Sequence, residues 1–295
     1  MADAYLDRLI DLALDEDLGS AGDVTTAALV PPGSRGKAEL WAKEPMVLSG
    51  LDAFVRTFER VDPEVSVRLL RADGARTKPR ERIATLEGPL AGLLIGERTA
   101  LNIAQRMCGI ATAAAHVVAL VEQSPNARLK ILDTRKTPPG MRGLAKRAVR
   151  DGGASNHRFG LFDGVLIKDN HIAAVGGSVR EALRRAKAHA PRLVKIEIEV
   201  TTLAQLDEAI DEGAHIVLLD NMDDAQVKKA VVRCRKAGVE VEVSGGVTAE
   251  RIPQLVELGV DYVSMGALTH SARAMDLSLE ILPTAPRRSR RRVPT

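Results

Sequence analysis

Apolar residues recur at two different rhythms along the chain, and the change of rhythm divides it. Leu6, Leu9, Ile10, Ala13 and Leu14 fall on one face of a helix spanning residues 4–17 that stops near Gly19. Residues 37–43, 66–70 and 82–86 alternate as strands, residues 51–60 form a helix between the first two, and GDVTT (22–26) is a turn-and-cap pattern. Residues 93–122 hold the longest helical pattern, with a break expected near Cys108-Gly109. Arg98, Asn102, Gln105 and Arg106 share a polar face on it, which spacing alone leaves open between a solvated stripe and a functional one. From Lys130 the rhythm becomes strand–helix–strand. Strands are expected at 130–134, 163–168, 195–200, 215–220, 240–244 and 262–266, with helices at about 143–150, 178–189, 202–212, 223–237 and 249–258. The chain is therefore read as α/β: a small N-terminal α+β unit, then six parallel strands of an α/β barrel or barrel-like sheet, two short of a full eight. The expected division is 1–115, rejoined by 270–283, and 116–270, with a disordered basic tail at 284–295.

Composition narrows the function class. The chain has 295 residues, 45% hydrophobic and only 2% aromatic, too few rings for a nucleic-acid stacking platform. Net charge is +3, but Arg287, Arg288, Arg290, Arg291 and Arg292 lie in the tail, leaving 37 basic side chains against 39 acidic ones. Global charge thus says little about a partner, and nucleic acid and membrane are not expected. Cys108 and Cys234 stand far apart without a Cys/His cluster, as in a reducing compartment. With no signal segment and no stretch read as a membrane span, the expected location is the cytoplasm.

Local charge is more telling. Residues 130–171 hold nine Lys or Arg, two His, four Asp and no Glu, and the cations are set singly after apolar runs. Arg135 and Lys136 follow ILDT, Arg158 follows Asn156-His157, and Lys168 follows GVLI. A cation just past the carboxyl end of a barrel strand points into the ligand crevice. Lys146, Arg147 and Arg150 are read as a solvated helix face without a role. The later strand ends supply Glu199, then Asp220-Asn221, then Ser244-Gly245-Gly246, then Ser264 and Gly266. Cations suit carboxylates or pyrophosphate, acidic groups suit a diol or magnesium, and glycine-lined amides suit a phosphate.

The segments GDVTT, LNIAQRMCGIAT (101–112), DTRKTPPGMR (133–142), NHRFGLFDGVLIKDNH (156–171), EIEV, LLDNM, SGGV and SMGALTHS together resemble quinolinate phosphoribosyltransferase, in unbroken order from about Leu9 to Ile281. The resemblance implies conversion of quinolinate and 5-phosphoribosyl-1-pyrophosphate, with Mg2+, to nicotinate mononucleotide, pyrophosphate and CO2, a step of NAD biosynthesis. It also implies an N-terminal open-faced α+β sandwich, a C-terminal incomplete, six-stranded parallel α/β barrel, and a homodimer with shared active sites, with a hexamer as a larger assembly. Carried over residue by residue, it implies that Arg135, His157, Arg158 and Lys168 hold the quinolinate carboxylates, with Arg106 from the other subunit and Thr134 among the substrate-binding residues. Lys136 would lie near pyrophosphate, Glu199 and Asp220 would hold ribose hydroxyls and metal, and Ser244, Gly245, Gly246 and Gly266 the 5-phosphate. The catalytic set is then Lys136, Lys168, Glu199 and Asp220. The chain departs from the family at Cys108, Ala154 and Val243, none of which removes a charge. Three other readings compete: a phosphoribosyltransferase of the same fold acting on a different acid, as in the molybdenum-operon paralogue; a Schiff-base aldolase using Lys168; and nucleic-acid binding through the arginine tail.

Overall fold

The structure, a computed structural model, describes residues 2–124 and 127–283; the tail at 284–295 lies outside the described residues. Strands in chain order are β1 Arg35–Ala42, β2 Met46–Val47, β3 Ser66–Leu69, β4 Arg76–Thr77, β5 Glu81–Pro89, β6 Lys130–Leu132, β7 Val165–Ile167, β8 Ile196–Val200, β9 Ile216–Asp220, β10 Glu240–Ser244, β11 Tyr262–Ser264 and β12 Leu277–Ile281. The first helices are α1 Ala2–Leu18, α2 Val24–Leu29, α3 Leu51–Val61, α4 Leu90–Glu122 and α5 Arg142–Asp151. Two compact units result, one from Met1–Cys108 with the segment from Ala274 onward, the other Gly109–Arg273.

The first unit is built on an antiparallel sheet in the order β12-β1-β5-β3. Alternation sorts the faces: Gly36, Ala38, Leu40 and Ala42 of β1 point into the core while Lys37 and Glu39 do not. That core receives Phe54 and Phe58 from α3 and Leu93, Leu101, Ala104 and Cys108 from α4. Two charged pairs fix α1 on α3, Arg56 with Asp7 at 2.7 Å and Arg60 with Asp11 at 2.8 Å. The short helix α2 grows out of GDVTT because Asp23 accepts from the amides of Thr25 and Thr26. Strand β12, which the sequence pattern did not announce, alternates Leu277, Leu279 and Ile281 and pairs with β1 from Ala38↔Ile281 to Ala42↔Leu277.

Two expectations about α4 are corrected. The helix runs unbroken through Cys108 and Gly109, because both are buried among Met107, Ile110 and Ala111 and packing outweighs the roughly 1 kcal/mol helix penalty of glycine. It is also long and apolar enough to cross a membrane by length and composition, contrary to the expectation that no stretch approaches a span. Its apolar residues from Leu93 to Cys108 are spent on the core of the first unit. Of its polar stripe, Arg98 and Asn102 are exposed, and Gln105 donates to the Leu277 carbonyl, so one stripe member anchors β12.

The second unit is a parallel six-stranded sheet in the order β6-β11-β10-β9-β8-β7. Its strands are apolar on alternate positions and carry polar groups inward on the others, as in Glu197 and Glu199 of β8 or Glu242 and Ser244 of β10. The sheet curls. In a flat sheet β6 and β8 would lie about 19 Å apart at roughly 4.8 Å per strand. Instead His157, which follows a Leu132↔Ser155 bridge on the β6 edge, reaches Glu197 of β8 at 3.0 Å. Among the described residues β6 and β7 do not pair with each other, so the barrel is open on that side.

Candidate active site

The parallel strands end at one rim, and the residues expected there are mostly at their predicted places. β7 ends at Ile167, and Lys168 next to it donates to Glu199 near the end of β8 at 2.9 Å. β9 ends in Asp220 and β10 in Ser244, two residues paired directly across the strands. Ser264, ending β11, donates to the Ser244 hydroxyl at 2.9 Å, tying the two loops expected to hold a phosphate.

Those loops need their glycines. Gly245 has φ +87° and a Cβ there would lie 2.4 Å from Asn221 Oδ1 and 2.8 Å from Asp220 Oδ1. Gly246 follows at φ +58°. A Cβ on Gly266 would lie 2.9 Å from Lys136 Cδ, so the Lys136 stem crosses directly over this loop. Thr269 donates to the Lys136 carbonyl at 2.7 Å and fixes the crossing, while Thr134 Oγ1 accepts from the Lys136 amide. Gly266 is followed by the four-residue helix Ala267–His270, and the Ser-Gly-Gly loop leads through a 3-10 turn into Ile252–Leu258.

Arg158 Nη1 donates to the Gly164 carbonyl at 3.0 Å, and neither Arg158 nor Arg135 forms an ion pair among the described residues, Glu197 and Asp163 acting on Arg158 only through their charge. Arg135 Nε is buried with no hydrogen-bond partner. Burial, and then the charge of Arg135 nearby, hold the Arg158 guanidinium below its usual pKa. Two neighbouring guanidinium groups, offset only by the more distant charges of Glu197 and Asp163, are costly unless an anion completes them.

His157, expected at a ligand carboxylate, has both ring nitrogens against protein groups. Its Nδ1 accepts from the Arg158 amide at 2.7 Å and its Nε2 contacts Glu197 at 3.0 Å and Glu242 at 3.6 Å. Burial opposes charge on the ring, but the Glu197 hydrogen bond and the field of Glu242 together raise its pKa. An amide aimed at Nδ1 assigns the ring proton to Nε2. His157, Glu197 and Glu242 offer three potential metal-ligand atoms within 4.8 Å of one another, yet an Nε2 that carries the proton donates rather than ligates. The trio is therefore better suited to a hydrogen-bonded triad than to a metal centre. It borders a cavity of about 390 Å3 lined by Arg158, Val165, Val194 and Tyr262 on the open side of the barrel.

Lys146, read as solvated, is instead buried, with its ammonium 2.6 Å from Asp133 Oδ1 and 2.9 Å from the His157 carbonyl. Asp133 has no solvent exposure; its Oδ1 also accepts from the His157 amide and its Oδ2 from Asn156 Nδ2, both at 2.8 Å. Burial pushes the Asp133 pKa up and the Lys146 pKa down, opposed in each case by the partner. Asp133, Lys146, Asn156, Glu197 and Glu242 are the polar residues that strand-end reasoning missed. For the last two a signal existed, since carboxylates two apart in EIEV and EVEV must share a face with the strand-end group.

With this geometry in hand, residues 23–108 match the family model described as the N-terminal domain of quinolinate phosphoribosyl transferase, and residues 110–280 match its C-terminal domain. The chain belongs to the quinolinate phosphoribosyltransferase family. Among relatives, it is 44% identical over 273 residues to the nicotinate-nucleotide pyrophosphorylase [carboxylating] of Mycobacterium leprae, covering 91% of this chain and 94% of that one. It is 41% identical over 276 residues to the probable enzyme of the same name from Bacillus subtilis, covering 94% and 93%. The nicotinate-nucleotide pyrophosphorylase structure from Francisella tularensis superposes with a TM-score of 0.88 at 36% identity, over 95% of this chain and 96% of that one. NadC from Streptococcus pyogenes gives 0.88 at 39% identity, over 96% and 99%. Quinolinate phosphoribosyltransferase membership thus extends over both units.

Proposed function

We infer that the chain transfers the phosphoribosyl group of 5-phosphoribosyl-1-pyrophosphate to quinolinate and releases CO2, giving nicotinate mononucleotide and pyrophosphate. The observation that carries the reading is the Arg135–Arg158 pair, two half-buried cations that feel each other's charge and form no ion pair among the described residues. Quinolinate is a dianion, and a guanidinium offers a planar fork to each carboxylate. Arg135, Arg158 and Lys168 receive these carboxylates. Thr134 shapes the turn between them and Lys136, and His157 reaches the substrate only by leaving its present partners.

Ser244, Gly245, Gly246 and Gly266 receive the 5-phosphate on backbone amides, and Glu199 and Asp220 face the ribose hydroxyls. The pyridine nitrogen then displaces pyrophosphate at the anomeric carbon, where Glu199 and Asp220 offset the developing positive charge and Lys136 steadies the leaving group. Mg2+ suits this oxygen-only pair of donors and, when bound, neutralises pyrophosphate charge. The N-ribosylated ring is cationic, so departure of the 2-carboxylate leaves an electron pair beside a positive nitrogen. Protonation of that carbon completes the product, with Lys168 or a water as donor. Most of the work is positioning and electrostatics. The committed ion pair of Lys168 with Glu199 favours this reading over a Schiff-base aldolase.

Quinolinate labelled in its 2-carboxylate should release label as CO2 only when phosphoribosyl pyrophosphate and Mg2+ are present. Nucleotide formation with another acid and no label release would move the enzyme to the other phosphoribosyltransferase reading.

The working form is a cytoplasmic homodimer in which each site borrows Arg106 from the partner; the basis is the family resemblance and the half-buried Arg106 on α4. Mixing Arg106→Ala chains with Lys136→Ala chains should restore partial activity in confirmed heterodimers. Heterodimers without activity would contradict the shared site.

A further inference from the structure

The carboxylate-binding arginines come from two chain segments that regular secondary structure barely joins. Arg135 follows β6, and Arg158 ends the segment that leaves α5 through Gly152-Gly153. The backbone link between these segments is the single bridge Leu132↔Ser155, with Ser155 N donating to Ile131 at 2.8 Å and Asp133 N to Ser155 at 3.3 Å. Beyond Asp133 the ladder stops. Side chains take over there: Asp133 holds the His157 amide, Lys146 holds the His157 carbonyl, and Lys146 and Asp133 hold each other. Asn156 Nδ2 closes the set by donating to Asp133 Oδ2 and to the Lys146 carbonyl, each at 2.8 Å. The amide of the residue preceding Arg158 is thereby fixed to Asp133, two before Arg135, and its carbonyl to Lys146, which Asp133 holds in turn.

This clamp works against a force. The two guanidinium groups repel each other, and the β6 edge has no further strand to confine the 156–158 segment. A buried ion pair is a poor source of stability, since well-packed apolar residues of similar volume serve as well or better. It does fix geometry, and that fits where this one sits. We propose that Asp133 and Lys146 are positioning residues that set the separation of Arg135 and Arg158, and so the enzyme's selectivity for a substrate with adjacent carboxylates. The proposal rests on the carboxylate-site reading given above. Both residues act through the arginines; neither is placed against substrate.

The test is quinolinate and phosphoribosyl pyrophosphate binding by calorimetry, with thermal melts, for the double variant Asp133→Asn, Lys146→Met. Removing both charges avoids stranding either one. The expected result is a quinolinate Kd raised on the order of tenfold or more, because misplacing a binding group by about 1 Å is enough for that. Phosphoribosyl pyrophosphate Kd should stay within about twofold and the melting temperature should not fall with it. A folded double variant that binds quinolinate like the parent overturns the proposal. Should the double variant not fold, Asn156→Ala decides on the same criterion, since it removes two clamp hydrogen bonds and leaves the ion pair intact. Arg158→Ala serves as the reference. If it too binds quinolinate normally, the carboxylate site itself is wrong; if it loses quinolinate while the clamp variants do not, only the clamp is.

Discussion

Arg158→Ala is expected to weaken quinolinate binding by roughly 10²-fold or more, while phosphoribosyl pyrophosphate binding changes only a few-fold. The asymmetry follows from the site. The Arg158 guanidinium makes one hydrogen bond among the described residues, to the Gly164 carbonyl, and its remaining donors are left for a ligand beside Arg135. Lys168→Ala should act in the same direction by a different route. It removes a cation and also exposes the dianion to Glu199, whose carboxylate now sits 2.9 Å from the Lys168 ammonium. Lys168 is nearly half exposed, so solvent screens it and the loss should be smaller, about tenfold. Titration calorimetry with each substrate separates the two affinities. Unchanged quinolinate affinity in both variants would remove the basis for the carboxylate pocket.

The second large effect concerns pH. Burial first, and the charge of Glu197 second, push the Glu242 carboxyl up to about 8 from 4.5. The native state therefore binds this proton more tightly than the unfolded chain. Its stabilising contribution is complete below about pH 4.5 and is lost as pH rises through about 8. Glu242→Gln cannot ionise and should lack this slope. Between pH 5 and pH 8 the parent should lose roughly 2–4 kcal/mol that the variant keeps, a difference of several degrees in melting temperature. Thermal melts of both proteins across that range test it, and parallel pH profiles would show that Glu242 is ionised in the native protein at neutral pH.

The barrel was legible because its strands obey a simple local rule. Each is a short apolar run closed by a polar or glycine group, so HIVLLDN and EVEVSGG announce both the strand and the rim residue. Strand-end cations were legible for the same reason. What escaped was decided by partners distant in sequence. Lys146 lies on a helix whose other basic residues resemble a solvated face, and only the arrival of Asp133 thirteen residues earlier makes it a core residue. The His157 ring shows the same dependence, since its contact with Glu197, forty residues on, is invisible in the NHR segment itself. The uninterrupted α4 belongs to the same class: local glycine propensity suggested a break that burial of Gly109 overrides.

Strand β12 has a consequence for the order of events during synthesis. Residues 38–42 of β1 find one of their two neighbours only in residues 277–281, more than two hundred positions later. As the nascent polypeptide leaves the ribosome, the whole Gly109–Arg273 unit is complete before that neighbour exists. Until then β1 presents an open row of amides and carbonyls, with Leu40 and Ala42 uncovered on one side, a template for pairing with other chains. Premature termination a few codons before Leu277 would thus leave a finished barrel joined to a sticky, unfinished sheet, and aggregation rather than a milder partial activity is the outcome to look for.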